Sequence, residues 1–299
     1  MQCVFKKYNK FFFYYFEIIK PRIIIANIFS ALAGYFFTLR KNIFYYKIFL
    51  AMILGLSCII ACGCVLNNIL DIENDKKMIR TKNRVLVKKN ISINSAYIFS
   101  FFLFFCGSLI FLLFLNKIAY IISLFGLFFY VVIYTILLKK KSQYSTIFGA
   151  ISGSCPIIIG YFSIENYFNV IPMILFLIHL IWQIPHSYSI YLLHLKDYRK
   201  AQMPVFPIVN TFQRTLDHMY FSVIILIFFI FMLNFIYFSN YFYSFIFLFL
   251  GIIWLSIILE GYYYIYSYKK TWARKIFKFS IFYIILFNFF ICMNFFKFL

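Results

Sequence analysis

Three oxygen-bearing side chains recur at four-residue spacing in a chain that has few acidic residues. Asn67, Asp71 and Asp75 would share one face of a helix, because residues four apart stack along it. Only 8 of the 299 residues are Asp or Glu, yet three of them lie within positions 71–75. Carboxylate and amide oxygens suit Mg²⁺, which proteins usually hold with one or two carboxylates and substrate phosphates. The spacing therefore predicts a Mg²⁺ site beside a phosphate group.

Cationic residues follow this motif closely. Arg80, Lys82 and Arg84 suit phosphate oxygens, because guanidinium and ammonium groups donate charge-assisted hydrogen bonds to them. A row of carboxylates followed by a row of cations is what a metal–phosphate substrate requires.

A second cluster of charged residues lies near the end of a later apolar run. Asp197 is the only acidic residue between positions 179 and 207, and its carboxylate could ligate a second cation. Lys196 could balance phosphate charge, as could the two cations that follow, Arg199 and Lys200. The other interpretation is an ordinary basic loop of a membrane protein, and the first motif favours the site over the loop.

Three of the four histidines lie in the same stretch, at His179, His186 and His194. They could ligate a haem iron, act as general bases, or form hydrogen bonds in a helix interface. Pro185 frees a backbone carbonyl that a neighbouring side chain could satisfy. The interface interpretation is favoured for all three, and His186 is retained as the candidate for haem contact.

Composition places the chain in a membrane. It is 65% hydrophobic and 12% charged, with a mean hydropathy of +0.90, whereas a soluble domain is about 45–50% apolar and about 25% charged. The net charge of +21 would favour nucleic-acid binding in a soluble chain. Here the charges lie between apolar runs, so membrane topology explains them and no nucleic-acid partner is expected.

Nine apolar runs are long enough to cross a bilayer, which takes about 17–25 residues per helix. We therefore expect an all-α polytopic bundle of about nine transmembrane helices, with tight turns at 116–117 and 239–240. The expected spans are 22–39, 48–70, 95–115, 118–138, 145–163, 170–192, 218–238, 241–262 and 276–296.

The distribution of Lys and Arg tests this count, because cytoplasmic loops of membrane proteins carry an excess of these residues. With a cytoplasmic N-terminus, 24 of the 29 Lys and Arg fall on the cytoplasmic side and 5 on the other. The asymmetry predicts that the N-terminus and both charged clusters are cytoplasmic and that the C-terminus lies opposite.

No linker or low-complexity tail divides the chain, so we expect one domain over residues 1–299. The two charged clusters end the second and sixth spans, which run in the same direction. This similarity between the second and sixth spans predicts a pseudo-symmetric bundle whose site lies between the clusters.

The motif Asn67-Asn68-x-x-Asp71-x-x-x-Asp75 resembles the first aspartate-rich motif of the UbiA-type intramembrane prenyltransferases. Further stretches are similar to the haem O synthase branch of that family, the protohaem IX farnesyltransferases. The likeness runs from about residue 20 to residue 279. The stretches that carry it are 80–87, 182–188, 196–198, 204–209 and 272–277.

The resemblance implies an all-helical UbiA-type fold around a lipid-accessible cavity. Members transfer the farnesyl group of farnesyl diphosphate to a vinyl group of haem B, and water supplies a hydroxyl, which gives haem O and diphosphate. By motif matching, Asp71, Asp75 and Asp197 would be catalytic, and with Asn67 they would bind Mg²⁺. The residues that would contact the diphosphate are Asn67, Arg80, Lys82, Arg84 and Lys196.

The resemblance also implies the surroundings. The expected location is the bacterial cytoplasmic (inner) membrane, and the expected partners are farnesyl diphosphate, haem B and membrane lipid. A haem A synthase or a terminal oxidase would act downstream.

Two departures and two rival functions remain open. Ala201 stands where the wider superfamily has a second carboxylate, and Asn68 stands where many relatives have Asp. Both departures favour the haem-modifying branch over a prenyltransferase for an aromatic or quinone precursor, and they leave the number of Mg²⁺ ions open. The second rival is a membrane transporter, against which the acids of the two clusters lie at one end of the spans rather than at mid-depth.

Overall fold

The fold is built from helices alone within the residues that the computed structural model describes, which are 12–39, 44–237, 242–264 and 270–296. A helix satisfies its own backbone hydrogen bonds, as an apolar bilayer interior requires of any spanning segment. A π-helix (Phe129–Leu138) continues α6, and a 3₁₀ turn (Glu260–Tyr264) continues α12. The helices are α1 (12–18), α2 (Pro21–Thr38), α3 (Tyr46–Leu70), α4 (Ile72–Lys77), α5 (Ile93–Phe114), α6 (Lys117–Phe128), α7 (Ser145–Phe162), α8 (Val170–Leu193), α9 (Leu195–Lys200), α10 (Phe206–Val209), α11 (Phe212–Tyr237), α12 (Phe242–Leu259) and α13 (Lys270–Phe296).

The predicted all-α bundle and its count of membrane helices are confirmed. In the described part of the chain, 9 helical segments are long and apolar enough to cross a bilayer. They are α2, α3, α5, α6 with the π-helix, α7, α8, α11, α12 with its 3₁₀ turn, and α13.

Two spans begin earlier than predicted. Helix α11 starts at Phe212 instead of residue 218, and α13 starts at Lys270 instead of residue 276. The extra turns carry charged residues, which fit a helix end because long basic side chains reach water from an apolar stem. Hydropathy alone excluded these turns, although backbone hydrogen bonding continues through them.

The turn predicted at 116–117 separates α5 from α6. Asn116 caps α6, since its Oδ1 accepts a hydrogen bond of 2.8 Å from the Ala119 N–H. The turn predicted at 239–240 lies outside the described residues.

Helix α8 lies at the centre of one half of the bundle, packed against α7, α11 and α13, while α3 packs mainly against α5. The side chains turned away from these contacts are large and apolar. Phe101, Leu112 and Phe235, for example, are 69%, 62% and 79% exposed. Such surfaces suit lipid, which solvates apolar side chains that water would not.

Two glycines let α2 and α7 cross in backbone contact. A Cβ added at Gly160 would lie 1.8 Å from the Ala31 carbonyl oxygen, and one added at Gly34 would lie 1.9 Å from that of Ile157. Small residues are favoured at such crossings because helices in lipid associate through close van der Waals packing. The crossing holds α2 against the middle of the bundle and so fixes the position of Lys20, which directly precedes this helix.

We expect Gly160→Ala to lower stability by about 1–3 kcal/mol, because the added methyl overlaps backbone that cannot rotate away. Thermal unfolding of the detergent-solubilised chain measures this loss.

Gly63→Ala is the matched control. The atom nearest to its added Cβ is the flexible Leu127 Cδ1, at 3.1 Å. Equal losses in the two variants would contradict a specific role for the α2–α7 crossing.

Candidate active site

The first motif keeps one helical face although α3 ends within it. The Asp71 N–H donates to Asn67 O at 3.0 Å, and the Asp75 N–H donates to Asp71 O at 2.8 Å. The i to i+4 pattern therefore passes through the junction between α3 and α4. Asn67 Nδ2 donates to Asp71 Oδ2 at 2.9 Å. The three side chains are 3%, 1% and 5% exposed, so the row lies inside the protein.

Each buried carboxylate of this row has a cationic partner. Lys139 forms an ion pair with Asp71, and Arg84 Nη1 lies 2.6 Å from Asp75 Oδ2. Burial of an unpaired carboxylate is costly, so these pairs are required when no other cation is present.

A π-helix brings Lys139 to the motif. Its wider backbone hydrogen-bond pattern is seen where the Lys139 N–H donates to Tyr134 O, five residues earlier, at 2.8 Å. Nine residues separate Tyr130 from Lys139, which is about two turns of a π-helix but about two and a half turns of an α-helix. An α-helix here would turn Lys139 to the opposite side. Thr135 accepts a hydrogen bond of 3.2 Å from Asn67 Nδ2.

Lys20 contacts Asn67, the first residue of the row. Its Nζ donates to Asn67 Oδ1 at 2.8 Å. Its backbone is left-handed, with φ 54° and ψ 67°, directly before Pro21, and this conformation is unfavourable for a residue with a Cβ. Such strain is often found at functional sites. Burial lowers the pKa of Lys20 to about 8, because the charged ammonium loses water contacts.

A cavity of about 120 Å³ lies beside Asp75 and Arg84. Asn68 lines it, with Nδ2 donating to Ile18 O at 2.8 Å and Oδ1 accepting no hydrogen bond from the described residues. The cavity has space for small polar species next to the motif. Its lining residues are Glu17, Ile18, Lys20, Asn68, Asp75, Arg84, Val85, Leu86 and Val87.

The second cluster meets the loop that follows the first motif. Asp197 is 7% exposed. Its Oδ1 accepts from the Ile79 N–H at 3.1 Å and its Oδ2 from the Arg80 N–H at 3.3 Å. Arg80 Nη2 also donates to the Tyr198 hydroxyl at 3.3 Å. The two clusters, 118 positions apart at Ile79 and Asp197, therefore share one end of the bundle.

Two predicted phosphate ligands stay at the surface. Lys82 and Lys196 are both exposed and form no ion pair with the described residues. The structure therefore brings together Asn67, Asp71, Asp75 and Arg84 in one group, and Asp197 with Arg80 in a second that adjoins it.

The histidines differ in what their ring nitrogens contact. His179 is buried, with Nδ1 on Leu175 O and Nε2 on Asn288 Oδ1, both at 3.0 Å. The interface role predicted for His179 agrees with these contacts.

His186 stacks between two aromatic rings, 4.8 Å from Trp182 and 5.2 Å from Phe277. Its Nδ1 lies 2.8 Å from Ser280 Oγ. Because Ser280 donates its own proton to Phe277 O at 2.7 Å, its oxygen accepts from Nδ1–H. Nε2 is then the unprotonated nitrogen, with no hydrogen-bond partner among the described residues.

Sequence reasoning missed Lys20 and Lys139 as members of the site, because it counted them only as loop charges. The pair Lys20-Pro21 and the lysine at the end of the fourth span were visible, but their approach to Asn67 and Asp71 depends on tertiary contacts. Four tyrosines near these residues were missed for the same reason: Tyr130, Tyr134, Tyr191 and Tyr198.

Comparison with known proteins agrees with this arrangement. The model of the UbiA prenyltransferase family matches residues 27–286. The chain is 37% identical over 275 residues to a protoheme IX farnesyltransferase of Buchnera aphidicola, an alignment that covers 92% of this chain and 94% of the relative. It is 36% identical over 267 residues to a protoheme IX farnesyltransferase of Pectobacterium carotovorum, which covers 89% and 90%.

Solved structures share the fold. A digeranylgeranylglyceryl phosphate synthase structure superposes with a TM-score of 0.78 at 20% identity, covering 95% of this chain and 98% of that one. A UbiA homologue from Archaeoglobus fulgidus bound to GPP and Mg²⁺ superposes with a TM-score of 0.69 at 14% identity, covering 93% and 99%.

The ion pair at Asp71 leads to a stability prediction. Lys139→Met should destabilise the protein by about 3 kcal/mol, because it leaves a buried carboxylate unpaired. The double variant Lys139→Met/Asp71→Asn should recover most of that loss, since no charge is then stranded. Thermal unfolding in detergent measures both.

Lys141→Met is the matched control, since Lys141 is exposed at the end of the same helix. If the double variant proved no more stable than Lys139→Met, the pairing of Lys139 with Asp71 would be wrong.

Proposed function

The chain belongs to the UbiA prenyltransferase family, and from that premise we propose that it transfers the farnesyl group of farnesyl diphosphate to a vinyl group of haem B. Water supplies the hydroxyl of the new side chain, and the products are haem O and diphosphate. The observation that carries the proposal is the buried row of Asn67, Asp71 and Asp75, ringed by cationic side chains. Relatives named as protoheme IX farnesyltransferases match nearly the whole chain.

The donor set of this row fits Mg²⁺. Asn67 offers an amide oxygen and Asp71 and Asp75 offer carboxylates, which are hard ligands of the kind that Mg²⁺ takes. These three residues would hold the metal, which would supply positive charge to stabilise the departing diphosphate. Asp197, predicted from the sequence as a further metal ligand, has both carboxylate oxygens engaged by the Ile79 and Arg80 N–H groups.

The chain's own cations bind the diphosphate. Lys20, Arg84 and Lys139 already contact the metal-binding row, and Arg80 lies where the second cluster meets the loop that follows this row. A bound metal would balance the carboxylates in place of these side chains, which would then contact the phosphate oxygens. Cations fixed in a site poor in water stabilise charge on the leaving group far better than cations in water. Lys82 and Lys196, predicted for the same task, would have to move from the surface.

Tyrosines stabilise the carbon that loses the diphosphate. Tyr130 and Tyr134 stack at 5.9 Å on the π-helix, and Tyr191 and Tyr198 meet edge-on at 4.9 Å. Aromatic faces attract an allylic cation and offer it no nucleophile stronger than a hydroxyl.

His186 contacts the haem substrate. Ser280 holds its Nδ1, so Nε2 keeps the lone pair that a haem iron would accept. The stack with Trp182 and Phe277 fixes the ring plane. His179 lacks this freedom, since both of its nitrogens are engaged.

The protein acts as one domain over residues 1–299 in a bacterial cytoplasmic membrane. The excess of Lys and Arg, 24 against 5, supports a cytoplasmic N-terminus and a cytoplasmic site, with the C-terminus opposite. On the cytoplasmic side, Mg²⁺ and the diphosphate group of the substrate are in contact with water. The lipid bilayer holds the apolar parts of both substrates. A haem A synthase or a terminal oxidase receives the product.

Product mass tests the function. The purified chain with Mg²⁺, farnesyl diphosphate and haem B should yield a haem heavier by one farnesol, and Mg²⁺ removal by chelator should abolish it. Transfer to 4-hydroxybenzoate instead of haem B would overturn the choice of acceptor and favour the aromatic prenyltransferase.

Asp71→Asn and Asp75→Asn should each reduce haem O formation at least 100-fold, because each removes a ligand charge for the metal, while the protein still inserts in the membrane. Glu73→Gln is the matched control from the same segment: its carboxylate is exposed and, among the described residues, forms an ion pair only with Lys76. Full turnover by either Asn variant would refute these roles.

His186→Ala should weaken haem B binding about tenfold, measured by titrating the Soret absorbance without farnesyl diphosphate. His218→Gln is the control, since His218 is held by the Tyr188 hydroxyl at 2.9 Å. An unchanged Soret titration for His186→Ala would exclude His186 as a haem contact.

A further inference from the structure

Both carboxylate oxygens of Asp197 accept hydrogen bonds from the loop that follows the first motif. Oδ1 accepts from the Ile79 N–H at 3.1 Å and Oδ2 from the Arg80 N–H at 3.3 Å. The side chain is buried, and the short helix α9 that carries it starts with the Asp197 N–H bonded to His194 O at 2.9 Å.

These two N–H groups need a partner from elsewhere in the chain. After α4 the backbone is extended at Met78, with ψ 130°. It then turns, since the N–H groups of Thr81 and Lys82 both donate to Met78 O, at 3.2 and 3.0 Å. The first N–H groups of such a turn have no local acceptor, as at the start of a helix. Asp197 caps them as an N-cap residue would, although it comes from a distant segment.

The next residue of α9 holds the side chain of the same arginine. The Tyr198 hydroxyl accepts from Arg80 Nη2 at 3.3 Å, and the guanidinium carbon lies 5.9 Å from the centre of the Tyr198 ring. Tyr198 in turn packs edge-on against Tyr191 of α8 at 4.9 Å. The second cluster therefore orients both the backbone and the side chain of Arg80.

The other end of this loop is held by the first motif. Thr81 Oγ1 donates to Asp75 O at 3.1 Å, and Arg84 Nη1 contacts the Asp75 carboxylate at 2.6 Å. The segment from residue 78 to residue 84 is thus fixed between Asp75 and Asp197. Of its two arginines, Arg84 contacts the row at Asp75 and Arg80 contacts Tyr198.

We propose that Asp197 is a positioning residue that acts on the substrate through Arg80. Its carboxylate fixes the Ile79 and Arg80 amides so that the Arg80 guanidinium meets the diphosphate. This rests on the proposed function, and it assigns the second cluster a task other than holding a cation. The two N–H dipoles place positive charge against the same oxygens, which weakens their attraction for a metal ion.

A double-mutant cycle tests whether Asp197 works through Arg80. In the full-length chain with Mg²⁺ and haem B, Asp197→Asn should raise the KM for farnesyl diphosphate about tenfold and change kcat less. In an Arg80→Ala background the same substitution should change KM less than twofold, because its effect has already been lost. Effects that multiply would show that Asp197 acts independently of Arg80, as a metal ligand would, and would overturn the proposal.

Two further variants complete the cycle. Tyr198→Phe should raise KM about threefold and should also lose its effect in the Arg80→Ala background. Asp217→Asn is the matched control, because Asp217 is an aspartate on α11 that accepts a hydrogen bond from Tyr262. Its kinetics should match those of the wild-type chain, and an Asp217→Asn effect as large as that of Asp197→Asn would overturn the specificity of the contact.

Hydrogen exchange separates this proposal from the proposed function, since it needs neither substrate nor activity. In the chain without metal or diphosphate, Asp197→Asn should speed exchange of the Ile79 and Arg80 amides at least tenfold. The Asp71 and Asp75 amides, bonded within the motif, should keep their rates. Unchanged exchange at Ile79 and Arg80 would overturn the proposal even if the chain makes haem O. Accelerated exchange would support it even if the acceptor of the farnesyl group proved different.

Discussion

Two carboxylates buried at the end of a membrane helix require positive partners, and most of the site follows from that requirement. Asp71 and Asp75 are almost fully removed from solvent, so water cannot stabilise their charge. Lys139 supplies the missing charge from the end of the π-helix, and Arg84 supplies it from the loop that follows the motif. A row neutralised in this way would exchange partners with little change in net charge if a metal ion and a diphosphate bound together.

The need to deliver these cations explains the irregular backbone around the row. A π-helix turns Lys139 inward, a left-handed residue before Pro21 presents Lys20, and a capped loop presents Arg80 and Arg84. Each departs from regular α-helix at the point where a charge must be placed. Regular helices elsewhere provide the rigid frame, and the glycine contact between α2 and α7 shows how tightly that frame is packed.

Hydrogen bonds from the backbone and the Arg80 side chain of the loop after the first motif link the two charged clusters. Asp197 caps the loop of the first cluster, and Tyr198 meets Arg80. A change in either cluster therefore reaches the other without passing through a bound substrate. This coupling suits a reaction in which the diphosphate leaving group must be bound before the allylic cation forms. A diphosphate that is not bound would recombine with the carbon that it left.

Sequence alone determined the helical class, the count of spans and the face shared by Asn67, Asp71 and Asp75, because these depend on hydropathy and on the period of the helix. It could not place Lys20 or Lys139, since their approach to the row depends on a strained φ and on a π-helical register that no local pattern encodes. Sequence alone could not assign the partner of Asp197 either, because a carboxylate can bind a metal ion or accept hydrogen bonds from two backbone N–H groups. Only the tertiary structure shows which N–H donors its carboxylate meets, because they come from a segment more than 100 residues away.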